Sequence, residues 1–175
     1  MMSPLLKASA VSTAIFLLGT IVFAREGNNG KGSPIFGVQL PSGYRRWQVV
    51  SVAHEAGSLN DIRVILGNDV AMRTFRSGTR PFPDGAVIAR LAWRYEPSSQ
   101  NNAVFGQAQS FIAGDPTNVQ IEVKDSRRYA ATGGWGYGQF ENGIANPSAA
   151  LLNTCQGCHS KLPWTEDRIF THYAR

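Results

Sequence analysis

The chain has 175 residues, with 17 Lys and Arg against 12 Asp and Glu, for a formal net charge of +5 with its three histidines neutral. The positive excess is scattered, with no basic block beyond Arg45-Arg46 and Arg127-Arg128. That distribution favours acidic partners or anionic ligands and argues against a nucleic-acid partner.

Residues 1–24, "MMSPLLKASAVSTAIFLLGTIVFA", have the layout of a secretory signal. Lys7 supplies the positive start, an apolar run follows, and Val22-Phe23-Ala24 offers a small-residue cleavage site. The competing reading is an uncleaved membrane anchor. The apolar run falls short of the roughly 20 residues a spanning helix needs, and polar "REGNNGKGS" follows at once, so no stable membrane insertion is expected after cleavage. Residues 25–40 are expected as a flexible leader, rich in Gly and Asn at their start. One domain, 41–175, then has room for a real core.

Within that domain, Trp47 to Ala53 has the β-branched content of a strand, and "DIRVILGNDVA" gives a second. Asn68 or Asp69 is placed to cap a short helix over about 70–78. "RPFPDG" reads as a turn leading into "AVIARLAWRYE", the clearest strand of the chain. "AQSFIAG" and "NVQIEVKD" read as two strands with "DPTN" turning between them. "GGWGYGQFENG" alternates Gly with aromatic residues, as in a strand where another group, here a flat macrocycle, approaches the backbone. After Pro147, "SAALLNTCQGCH" reads as a helix and "EDRIFTHYA" as a short helix or terminal strand. The expected class is α+β, mainly β: an antiparallel sheet packed against a few short helices in a single domain, with the cysteine-bearing helix at its C-terminal end.

Cys155 and Cys158 are the only cysteines, and His159 follows directly. C-x-x-C-H is the attachment signature of c-type haem: two thiols one helical turn apart each add to a vinyl group, and the next imidazole becomes the proximal iron ligand. A thiol-disulfide centre would need a βαβ setting that the chain lacks. Structural zinc would need His54 and His172 as further ligands, and a plain disulfide leaves His159 unexplained. The expected cofactor is therefore one covalently attached haem c, held by Cys155 and Cys158, with His159 on the iron. Near the C-terminus the motif leaves 16 residues after His159, none of them Met. Met72, His54 and His172 remain as sixth ligands, each with a more ordinary reading as core or surface residues. An open sixth site binds small ligands, whereas a filled one mostly passes electrons. Phe75, Phe82, Phe105, Phe111, Trp93, Trp135 and Tyr137 are core aromatics or pocket lining, and Glu122, Asp125 and Glu141 are candidate distal acids.

"GYRRWQVVSVAH", "PFPDGAVIARLAW", "VQIEVKDSRRYAATGGWGYGQF" and "TCQGCH" with "IFTHYA" occur in an order that resembles the cytochrome P-460 family, with its related β-sheet cytochromes c-prime. The resemblance runs from about Gly43 to Tyr173. It implies a periplasmic protein, often a homodimer, that exchanges electrons with a redox partner protein and handles small nitrogen species such as nitric oxide or hydroxylamine. The alternative is a simple periplasmic electron carrier with six-coordinate haem. In the hydroxylamine-oxidising members a Lys on the central strand is cross-linked to the haem ring. That position in the D-G-x-V-x-x-K pattern falls here on Arg90, and a guanidinium that keeps its proton cannot supply the nucleophilic amine. Alternation along "AVIARLAW" turns Arg90 to the side of Ile88 and Ala92, where it either pairs with a haem propionate or meets water at a strand edge.

Overall fold

A computed structural model describes residues 32–175. The expected signal peptide and the start of the leader lie outside the described residues. Six strands follow one another in sequence order across a single sheet: β1 (Gln48–Glu55), β2 (Asp61–Gly67), β3 (Val87–Pro97), β4 (Phe111–Lys124), β5 (Trp135–Glu141) and β6 (Ile144–Ala145). Every neighbouring pair is antiparallel, the arrangement that short connections allow. Three helices complete the α+β, mainly β fold: α1 (Asp69–Ser77), α2 (Ser99–Phe105) and α3 (Ala149–His159). No helix among the described residues is long and apolar enough to cross a membrane.

Local chemistry sets the ends of α1. The Asn68 side chain accepts from the Ala71 N–H at 2.9 Å, and Gly78 closes the helix in the left-handed region at φ +68°. Its inner face brings Met72 against Gly67 and Val50, so Met72 is a core residue. Ser148 caps α3 in the same way, accepting from the Leu151 N–H at 3.1 Å.

Four expectations change. β4 is one continuous strand of 14 residues, with no turn at "DPTN". Pro116 sits opposite Trp93 where the β3–β4 register shifts, a bulge that tolerates a residue without an N–H. α2 was not expected: it buries no residue, so it leaves no apolar periodicity in the sequence. The tail after Glu166 forms neither helix nor strand, and one backbone bond, from Ala174 N–H to the Val50 carbonyl, ties it to β1. From Ser33 onward the expected leader is packed: Ser33, Phe36 and Val38 are buried, and the Ser33 hydroxyl donates to the Tyr137 carbonyl.

The register sorts the two faces of the sheet. Ile88, Glu122 and Tyr137 form one row across β3, β4 and β5. The next row on the same face holds Ile65, Arg90, Gln120 and Gln139. At one end of this face Trp135 packs edge-on against Phe82, and Phe82 against Phe75.

Candidate haem site

α3 lies against β5 and carries Cys155, Cys158 and His159, the triad expected to attach a haem. Cys155 and Cys158 are free thiols one turn apart, the first half-buried and the second exposed. Burial pushes the Cys155 thiol up, with Glu122 adding to the effect. His159 ends the helix against Tyr137 and Phe170, each with ring centres 4.9 Å away. Its Nδ1–H donates to the Arg168 carbonyl at 2.7 Å, because a carbonyl can only accept. That bond puts the neutral ring's proton on Nδ1 and leaves the Nε2 lone pair available to a metal.

Nε2 faces the Glu122 carboxylate at 3.8 Å. The Glu122 side chain is 20% exposed, and its Oε2 is buried without a partner. Burial holds this carboxyl above its ordinary range, against the pull of His159 in its protonated form and of Arg90. Of the three candidate acids only Glu122 faces the triad. Asp125 accepts from the Arg127 and Arg128 N–H groups in a turn, and Glu141 accepts from Gln139 and Asn146.

Arg90 is on an interior strand and is not a strand-edge residue in water. Its side chain is 14% exposed, with one terminal nitrogen 2.8 Å from Asp61 Oδ2 and the other 2.8 Å from Asn118 Oδ1. Nε has no partner. Burial lowers its proton affinity, and Arg63 adds to that, while Asp61 opposes it. Arg90 stands in the row next to Ile88, Glu122 and Tyr137, so the fold brings the β3 arginine to the sheet face under the C-terminal triad.

The other expected groups divide. Phe75, Phe82, Trp135 and Tyr137 are buried core, whereas Phe105 and Phe111 are exposed. Trp93 is half-buried at the β3–β4 bulge. His54 is stacked on Tyr95 at 3.9 Å, with Nε2 3.4 Å from Asn60 Oδ1. His172, exposed on the irregular tail, is not brought to the triad by any described hydrogen bond or ring contact. The glycines of "GGWGYGQF" do not cradle a macrocycle: a Cβ on Gly136 would lie 2.2 Å from the Tyr129 ring, and one on Gly138 3.0 Å from Val38.

The residues present fit a haem. Two free thiols and an oriented imidazole lie on one helix, over a sheet face that carries the buried and unpartnered Glu122 Oε2, Tyr137 hydroxyl and Arg90 Nε. Sheet, helix and donor set together define a haem-binding cytochrome built on an antiparallel sheet. Residues 41–171 match the family model described as Cytochrome P460, and the chain belongs to that family. Comparison with curated protein sequences gives no match.

Proposed function

We propose that this chain is an exported, periplasmic mono-haem c-type cytochrome that binds or redox-processes small nitrogen species, nitric oxide or hydroxylamine, and passes electrons to a partner protein. The haem is covalent, through thioethers to Cys155 and Cys158, with His159 as proximal ligand. The observation that carries the reading is that the group facing His159 Nε2 is a carboxylate, Glu122, while Met72 is locked in the core and His54 is stacked on Tyr95. Family membership supports the haem itself. When bound, that group supplies an iron centre able to take a small ligand and change oxidation state.

The chain's own residues do the rest. The Arg168 carbonyl orients the proximal imidazole. Glu122, raised by burial, can hold a proton within the site. Arg90 keeps its charge next to that carboxyl, and its free Nε is the donor left for a haem carboxylate. Because Arg90 stands where a cross-linking amine is required, hydroxylamine oxidation of the cross-linked type is not part of this proposal.

The test is the optical spectrum of protein matured with a c-type haem assembly system, with and without nitric oxide and carbon monoxide. A high-spin ferrous form that binds both supports the reading. A low-spin form indifferent to both overturns it in favour of a plain electron carrier. Intact mass should show one haem and no ring cross-link.

A further inference from the structure

The carbonyl that orients His159 belongs to a backbone segment that ordinary side chains avoid. Asp167 and Arg168 both have positive φ, +49° and +62°, and neither is glycine. Two consecutive left-handed residues persist only where their surroundings hold them. The hold comes from the Asp167 side chain, which is 4% exposed. Its Oδ1 accepts from Lys124 Nζ at 2.7 Å, and its Oδ2 accepts from the Phe82 N–H at 2.7 Å. Lys124 is buried too, at 7% exposure, where Nζ also donates to the Gly133 carbonyl at 3.2 Å and lies 5.0 Å from the Trp135 ring centre. The end of β4, the segment before β3 and the C-terminal tail therefore meet at one carboxylate.

We propose that Lys124 and Asp167 are positioning residues for the proximal histidine. Their buried pair fixes the tail so that the next carbonyl, that of Arg168, receives the His159 Nδ1–H. A buried ion pair is a poor stabiliser compared with packed apolar side chains, so what this one gives the fold is geometry. Without it the turn relaxes toward negative φ, the carbonyl leaves the ring, and the imidazole becomes a weaker donor with a looser orientation. The inference rests on the reading of His159 as the iron ligand.

The experiment compares the ferrous iron–histidine stretching band, by resonance Raman, and the reduction potential in three holoproteins. These are the wild type, the double variant Lys124→Met with Asp167→Asn, and Asn68→Ala as a destabilised control remote from His159. Changing both partners avoids leaving one buried charge unpaired. The expected result is a band shifted to lower frequency or split, with a higher potential, in the double variant alone. An unshifted band and potential in a less stable double variant would make the pair purely structural and overturn the proposal. Absence of an iron–histidine band from a high-spin ferrous wild type would instead overturn the ligand reading, and the proposal with it; in a low-spin form, where that band is not enhanced, an unshifted potential overturns the proposal.

Discussion

Gly136 separates two uses of the glycine-aromatic strand, one for packing and one for the cofactor. A Cβ at this position would lie 2.2, 2.5 and 2.6 Å from three atoms of the Tyr129 ring. The ring cannot step aside freely: its hydroxyl donates to the Phe36 carbonyl at 3.1 Å, and Phe36 packs edge-on against it at 6.0 Å. Gly136→Ala is therefore overpacking against an anchored group, which costs about 3 kcal/mol, the upper part of the usual range. For a domain of this size that corresponds to a melting point lower by roughly 10 °C. The assay is denaturant unfolding of Gly136→Ala, Tyr129→Ala and the double variant, with the Soret band of each folded holoprotein. Tyr129→Ala alone should cost about 3–5 kcal/mol as a large cavity. In its background the added methyl meets open space, so Gly136→Ala should cost less than about 0.5 kcal/mol, a coupling that only contacting residues show. Additive costs, or a changed Soret band with unchanged stability, would refute the packing argument and return the strand to the cofactor.

Two further outcomes follow from the same contacts. Glu122 binds its proton more tightly folded than unfolded, because burial raises it from about 4.5. In the haem-free full-length chain its contribution to stability is thus fully present below about pH 4.5 and is lost as pH rises through the elevated folded value. Urea titrations of wild type and Glu122→Gln should show the wild type losing ground to the variant from about pH 4.5 upward; a constant or opposite difference refutes this. Asn68→Ala removes two acceptor contacts, to the Ala71 and Val87 N–H groups, and one donation to the Gly85 carbonyl. It should cost about 2–3 kcal/mol, more than a helix cap alone, with the Soret band unchanged. A loss below about 0.5 kcal/mol would mean that the side chain does not bridge α1 and β3.

What the sequence disclosed was local. Asn68 and Gly78 mark α1 because capping needs only near neighbours, and Cys155, Cys158 and His159 share α3 because their spacing is one helical turn. Alternation along β3 also put Arg90 on the side of Ile88 and Ala92, but left pairing and water at a strand edge both open. Its partner Asp61 needed the β2–β3 register, 29 residues apart in sequence. The same limit left Glu122, Asp125 and Glu141 equivalent as acids. Only cross-strand pairing with Tyr137, and α3 packed over that row, singles out Glu122. Lys124 and Asp167 meet across 43 residues, from a strand end to an irregular tail, and no periodicity links such positions.

The placement of unsatisfied groups makes the last argument for a bound cofactor. Leaving a buried polar atom without a partner costs about 1–3 kcal/mol, so such atoms are few and need a reason. Seven such side-chain atoms occur among the described residues, and three of them, Glu122 Oε2, the Tyr137 hydroxyl and Arg90 Nε, belong to the two adjacent rows under His159. A sheet face used only for packing would carry apolar residues here, as Ile65 and Ile88 do in the same two rows. Instead the interior strands β3 and β4 bring Arg90, Gln120 and Glu122 to this face, with Asp61 and Asn118 absorbing only part of Arg90's donor capacity. A macrocycle with an apolar rim and carboxylate arms needs this mixture, with Ile65 and Ile88 beside donors that the protein itself does not saturate.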